Sequence, residues 1–73
     1  MIQSFHQELA VYHANLIELL PYAGRFVVIR GQEIRGPFDT PEQAWQAGRR
    51  RYGMAPFLVK QIHAGAAFTG RAG

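Results

Sequence analysis

The stretch GRFVVIRGQEIRGPFDTPEQA, residues 24–44, decides the fold, because it predicts a strand, a tight turn, a second strand and a helix start in close succession. Residues 25–30 are rich in β-branched and aromatic types, which are typical of a strand. Gly31-Gln32 fits a two-residue hairpin loop whose first central residue needs a positive φ angle. Residues 33–38 then predict the returning strand of an antiparallel hairpin.

The turn sets the register of this hairpin. Arg30 is expected opposite Glu33, and Ile29 opposite Ile34, because a two-residue loop pairs the residues that flank it. Side chains alternate between the two faces of a sheet. One face then holds Val27, Ile29, Ile34 and Phe38, and the other holds Phe26, Val28, Arg30, Glu33, Arg35 and Pro37. Both faces carry apolar side chains, so both are expected to need cover.

A helix over about residues 40–52 follows the hairpin. Thr40 suits the N-cap, Pro41 the first helical turn and Gln43 the third position of a capping box. Gly53 suits the position after the last turn, where a left-handed conformation is common. The face expected to pack on the sheet holds Ala44, Trp45, Gly48 and Tyr52. We therefore expect Trp45 in the core.

Residues 4–20 predict an amphipathic helix that precedes the hairpin. Ser4 is a candidate N-cap, with Gln7 completing a capping box. A stripe of large apolar residues recurs at helical spacing: Phe5, Leu9, Tyr12, Leu16, Leu19 and Leu20. This helix is expected to cover the sheet face that the second helix leaves open, or to pair with a second copy of itself. Residues 56–62 predict a third strand.

The predicted fold class is therefore α+β, with element order αββαβ. We expect a three-stranded, mainly antiparallel sheet of strand order 2-1-3, in which the third strand is antiparallel to the first. Residues 1–62 form the predicted single domain. Residues 63–73 contain three glycines and no clear period, so they are expected to be a flexible tail.

Composition limits the class of protein. A chain of 73 residues makes one domain with a small core. Small folds often gain a disulfide, a metal or a partner subunit. No cysteine is present, and 48% of the residues are hydrophobic, which favours a homo-oligomer, expected to be a dimer. Neither a signal peptide nor a membrane span is predicted, so we expect a cytoplasmic protein without membrane contact.

Three longer motifs carry a resemblance to known proteins. They are LPYAGRFVVIRG, GPFDTPEQA and GRRRYGMAPFLVKQI. Over about residues 19–62 the chain resembles a group of short bacterial proteins of the domain-of-unknown-function type. The resemblance implies turn, cap and core roles, without a catalytic residue, for Gly24, Asp39, Thr40, Gly53 and Phe57. After Ile62 the chain departs from the longer, more apolar ends of those proteins.

Groups that carry chemistry are scarce. His6 and His13 are seven residues apart, about 10.5 Å along a helix, too far to bind one metal ion; a metal shared across a dimer is the alternative. Ser4 and Thr40 fall at cap positions, where the hydroxyl accepts a backbone N–H. Paired carboxylates and phosphate-binding loops are absent from the sequence. We therefore expect no enzymatic activity, no cofactor and no metal.

The sequence favours a non-catalytic protein that acts through protein–protein contact as a homodimer. The candidate dimer contacts are Phe5, Leu9, Tyr12 and Leu16. The alternative is a nucleic-acid-binding accessory protein, because Arg49, Arg50 and Arg51 stand together and the net charge is +3. Candidate contacts to nucleic acid or to an acidic partner are Arg30, Arg35, Arg49 and Arg50. The alternative to both is an arginine cluster that only solvates the helix end and complements its dipole.

Overall fold

The computed structural model describes residues 5–64. The elements follow in the order α1 His6–Ala14, α2 Leu16–Leu19, a 3₁₀ turn Leu20–Tyr22, β1 Phe26–Arg30, β2 Glu33–Phe38, α3 Pro41–Tyr52 and β3 Leu58–Gln61. The strands form one sheet in the order β2-β1-β3, and both neighbouring pairs are antiparallel. The predicted α+β class, the αββαβ order and the strand order 2-1-3 are confirmed.

The N-terminal helix is shorter than predicted and is interrupted. It begins at His6 and ends at Ala14, and a second short helix begins at Leu16. The break falls at Asn15, whose side-chain amide and backbone N–H both donate to the Val11 carbonyl, at 2.8 and 3.1 Å. Asparagine is disfavoured inside helices because its side chain makes local bonds of this kind to the backbone. The predicted capping role of Ser4 concerns a residue outside the described part of the chain.

The hairpin turn is confirmed. Gly31 has a φ angle of 61°, and Arg30 and Ile29 pair with Glu33 and Ile34 as predicted. The Gly31 N–H donates to the Glu8 carboxylate at 2.8 Å, so α1 is tied directly to this turn.

The far end of the hairpin differs from the prediction. The register shifts between Phe26 and Val28, so that Phe26 lies opposite Phe38. Phe38 therefore shares the sheet face of Phe26 and not that of Val27. Gly36 permits this bulge, because its φ angle of 126° is strained for any residue with a Cβ. A Cβ added at Gly36 would also lie 2.9 Å from the Phe26 carbonyl oxygen.

The sheet lies between two helical layers. The helices α1 and α2 pack on one face, where the buried core consists of Tyr12, Leu16, Val27, Ile29 and Ile62. The longer helix α3 covers the other face, against the fully buried Val28. The predicted cover of both faces is thus confirmed. Tyr12 and Leu16, predicted as dimer contacts, are instead buried in this chain's own core against Val27, Ile29 and Ile62, while Phe5 and Leu9 are only partly buried.

The start and end of α3 match the prediction. The Thr40 hydroxyl accepts from the Gln43 N–H at 3.1 Å, and the Gln43 side-chain oxygen accepts from the Asp39 N–H at 3.0 Å. Gly53 ends the helix with a φ angle of 64°. Ala44 and Gly48 are buried on the inner side of α3, which lets the helix lie close to the sheet.

Candidate functional site

Trp45 lies half-exposed at the side of α3, which corrects the prediction of a core residue. The ring of Phe57 takes the space over Gly48, and a Cβ added at Gly48 would lie 2.5 Å from it. The Trp45 and Phe57 ring centres are 6.4 Å apart. Phe57 therefore fills the position next to the helix and displaces Trp45 toward solvent.

Trp45, Met54, Phe57 and Val59 form one apolar area, here named the Trp45 surface. Met54 is 86% exposed and Trp45 is 50% exposed. An open depression of about 310 Å³ lies on one side of Trp45, and a second of about 270 Å³ lies on the other. Both are lined by Trp45 and Val59, so the indole ring is a ridge between them.

Charges of opposite sign stand at the two ends of this surface. Arg49 lines the first depression and Glu42 lines the second. The Arg49 guanidinium carbon lies 5.0 Å from the centre of the Trp45 ring, and its Nη2 donates to the Met54 sulfur at 3.3 Å. Along the exposed face of α3, an acidic residue (Glu42), an aromatic residue (Trp45) and a basic residue (Arg49) therefore follow one another.

The edge strand β3 borders the Trp45 surface. The Ile62 N–H donates to the Arg25 carbonyl at 2.8 Å, so the Ile62 backbone groups point toward β1. Backbone groups alternate in direction along a strand. Those of Val59 and Gln61 therefore point away from β1, and by the same alternation so do those of Phe57. Among the turn, loop and cap hydrogen bonds of residues 5–64, none involves the Val59 backbone, and the alternation places its N–H and carbonyl on the side of β3 that faces away from β1.

Tyr12 closes the other end of this edge. Its hydroxyl donates to the Gln61 carbonyl at 3.4 Å and accepts from the His63 N–H at 3.1 Å. The ring is fully buried, and the Lys60 ammonium nitrogen lies 5.2 Å from its centre. The His63 N–H, at the start of the predicted tail, is thus bonded to Tyr12. The rest of that tail, from residue 65 onward, lies outside the described residues.

Glu33 organises the charges on the opposite side of α3. Its carboxylate accepts from the Tyr52 hydroxyl at 2.7 Å and from Arg51 Nη2 at 2.9 Å, while Arg35 Nη2 lies 3.4 Å away. The hydrogen bond from Tyr52, and then that from Arg51, lowers the pKa of Glu33. Burial, and then the hydrogen bond to Glu33, raises the pKa of Tyr52. This cluster holds the hairpin against the last turn of α3.

The four arginines predicted to contact nucleic acid fall into two groups. Arg35 and Arg50 are brought together, since both line an open depression of about 370 Å³ with Ala47 and Arg51. Arg30 instead donates to the Pro56 carbonyl at 2.7 Å. Arg49 lies across the Trp45 ring. Of the four, Arg35 and Arg50 form the basic patch, where Arg35 also pairs with Glu33, while Arg30 and Arg49 lie away from it.

Among residues 5–64, no three His, Asp or Glu side chains are grouped closely enough to hold a metal ion. The Thr40 hydroxyl is used as a helix cap, and Asp39 Oδ1 lies 3.5 Å from Arg25 Nε. In the same part of the chain, no helix combines the length and the apolar character needed to cross a bilayer.

Comparisons of the chain with protein-family models, with curated proteins and with solved structures give no match. The resemblance of residues 19–62 to short bacterial proteins therefore stays a prediction.

Sequence reasoning missed most of the Trp45 surface. Met54 carried a usable signal, because it follows the C-terminal glycine of a helix and so lies beyond the helix's buried face. Glu42 and Arg49 also carried one, since positions three before and four after Trp45 share its side of the helix. Val59 carried no local sequence signal, because its place at the edge of the sheet depends on the order of the strands and not on its neighbours in the chain.

Proposed function

We propose that this protein is a non-catalytic interaction module that acts through protein–protein contact as a homodimer. The observation that carries the proposal is the Trp45 surface, an exposed apolar area next to an open strand edge. Tryptophan is over-represented among the residues that contribute most to interface affinity. We further propose a cytoplasmic location, since a reducing compartment suits a chain without cysteine.

The size of the core supports association. In the described part of the chain the buried apolar residues are Tyr12, Leu16, Val27, Val28, Ile29, Ala44 and Ile62. A core this small gives limited stability, so burial of Trp45 and Met54 against a partner adds a substantial share. The proposed contact therefore moves from the buried Tyr12 and Leu16 to the Trp45 surface. Phe5 and Leu9 remain half-exposed and are kept as secondary candidates.

Gel filtration with light scattering tests this proposal. The wild-type protein is expected to be a dimer at protein concentrations of tens of micromolar. Trp45→Ala should raise the dissociation constant at least about 30-fold, or 2 kcal/mol, if Trp45 contributes as a typical interface hot spot does. Ile17→Ala is the matched control, because Ile17 is 75% exposed but lies on α2 and not on the Trp45 surface. A monomeric wild type, or equal effects of the two variants, would refute the proposed dimer contact.

The single tryptophan supplies an independent readout. Its emission is expected to shift to longer wavelength on dilution, as Trp45 becomes exposed to water. A monomer whose indole stays shielded at all concentrations would assign the surface to residues 65–73 of the same chain and overturn the dimer.

We also propose nucleic-acid contact as a second candidate function, because Arg35, Arg50 and Arg51 line one depression. Its local charge is reduced by Glu33, which pairs with both Arg35 and Arg51. Arg35→Ala with Arg50→Ala should reduce the slope of log K against log salt by nearly one unit per lost phosphate contact. Arg49→Ala is the control and should leave the slope unchanged. Absence of binding at low salt removes this candidate.

A further inference from the structure

We propose that β3 pairs antiparallel with β3 of a second copy, about a twofold axis at Leu58, to form one continuous six-stranded sheet. This inference rests on the proposed homodimer and adds its geometry. Phe57 would exchange backbone hydrogen bonds with the partner's Val59, and Val59 with the partner's Phe57. Leu58 would face the partner's Leu58.

The β3 edge is the better edge for pairing. The β2 edge contains the bulge at Gly36 and is interrupted by Pro37, which has no N–H. Bulges and edge prolines are common devices that prevent edge pairing. The β3 edge is regular from Leu58 to Gln61, and the Val59 backbone groups point outward.

Tyr12 selects the register. A twofold axis at Val59 would require the Gln61 carbonyl to accept from the partner's Phe57. The Tyr12 hydroxyl already donates to that carbonyl. A twofold axis at Leu58 uses only the outward groups of Phe57 and Val59, and therefore avoids Tyr12.

The charges around Trp45 complement themselves under this symmetry. A twofold axis normal to the sheet leaves both copies of α3 on the same face and reverses their directions. Glu42 of one copy then approaches the partner's Arg49, and Arg49 approaches the partner's Glu42. The order of Glu42, Trp45 and Arg49 along α3 thus places opposite charges against each other when a second copy runs in the reverse direction. Such self-complementarity is the requirement of an isologous interface.

The distance between the two copies of α3 also leaves room for the tryptophan side chains. The helix α3 contacts all three strands, so its axis lies near the central strand β1. Three strand spacings separate β1 from β1 of the partner, about 14 Å in all. Packed helices normally lie about 8–10 Å apart. Two indole rings, one from each copy, would fill the extra width over Val59.

Disulfide trapping tests the register, since the chain has no cysteine and each variant therefore carries a single thiol. Opposed residues at a non-hydrogen-bonded position have Cα atoms about 4.5 Å apart, within the disulfide range. Leu58→Cys should therefore form a covalent dimer under mild oxidation. Val59→Cys is the matched control and should remain mostly reduced, because its two copies would lie two residues out of register. The opposite result would overturn the Leu58 axis.

Charge exchange at the surface tests the same geometry without touching the core. Glu42→Arg alone and Arg49→Glu alone should each raise the dissociation constant about 10-fold through like-charge contacts across the dimer. The double variant should return to within about 3-fold of the wild type, since each new pair is again of opposite sign. Additive losses in the double variant would overturn the proposed pairing of Glu42 with the partner's Arg49.

The outcomes separate the two proposals. A dimer that neither forms the Leu58→Cys disulfide nor shows the rescue retains the proposed function and refutes edge pairing. A monomeric wild type refutes both. Circular dichroism of each cysteine variant confirms that the fold is intact before the result is interpreted.

Discussion

Substitution of Gly48 by alanine tests the packing of α3 on the sheet. Alanine normally stabilises a helix interior by about 1 kcal/mol relative to glycine. Here the added Cβ would lie 2.5 Å from Phe57 Cε1 and 2.6 Å from Cζ, whereas carbon atoms in contact are normally about 3.5–4.0 Å apart. The Phe57 ring would have to move by about 1 Å.

The ring has little room to move. Tyr52 lies on one side at a ring-centre distance of 6.0 Å, and Trp45 lies on the other at 6.4 Å. Overpacking of this kind costs about 1–3 kcal/mol. After the gain in helix propensity, we expect Gly48→Ala to lower the free energy of unfolding by about 1 kcal/mol, within a range of about 0–2 kcal/mol.

Urea denaturation followed by circular dichroism measures this change, at one protein concentration so that self-association contributes equally. The sign should reverse when the ring is removed: in a Phe57→Ala background, Gly48→Ala should stabilise by about 1 kcal/mol. Phe57→Leu is a milder background in which the cost should be intermediate. Gln46→Gly against Gln46→Ala measures helix propensity at an exposed site of α3.

The reasoning would be refuted if Gly48→Ala stabilised the wild-type chain as much as it stabilised the Phe57→Ala variant. That result would mean that the Phe57 ring does not pack on the helix, and Trp45 would then lose the residue that holds it at the surface.

Three further predictions concern the caps, the strand edge and the charge cluster. Thr40→Ala should lower the free energy of unfolding by about 1 kcal/mol in thermal or urea denaturation, because the Gln43 N–H loses its acceptor. Tyr12→Phe should lower the free energy of unfolding by about 1–2 kcal/mol and speed amide hydrogen exchange at His63, because the buried hydroxyl bridges the Gln61 carbonyl and the His63 N–H. An unchanged exchange rate at His63 would contradict this role. Glu33→Gln should destabilise at neutral pH. The lowered pKa of Glu33 means that this difference is present above about pH 4.3 and is lost as the pH falls through the folded-state pKa. The raised pKa of Tyr52 contributes stability that is present below about pH 10 and is lost as the pH rises through the folded-state pKa. A wild-type-minus-variant difference that stays constant from pH 7 to pH 3 would contradict the Glu33 assignment.

Much of the fold could be predicted from the sequence because its determinants are local. Gly31 turns the hairpin and Thr40 starts α3 within a few residues of the groups they contact. The break at Asn15 was missed although its cause is also local, because a stripe of apolar residues crossed it and an asparagine side chain has several possible backbone acceptors. The bulge at Gly36 was missed because it depends on how Phe26 and Phe38 meet across the sheet.

The candidate site was less accessible to prediction. Trp45 and Gly48 lie three residues apart on α3, and the sequence favours burial of both. Only Gly48 faces the sheet directly, and the space beside it is filled by Phe57, which follows α3 in the chain. The exposure of Trp45 is therefore a consequence of a contact between separate elements.

By itself, the sequence determined the order of helices and strands, the hairpin turn with the pairing next to it, and the caps of α3, since each depends on hydrogen bonds and backbone preferences between near neighbours. The tertiary structure alone decided that Tyr12 is buried, that Trp45 is exposed, and that the outward backbone groups of β3 lie beside it. Those outcomes depend on competition for limited space between residues far apart in the chain, and the volume available to each side chain exists only once the elements have packed.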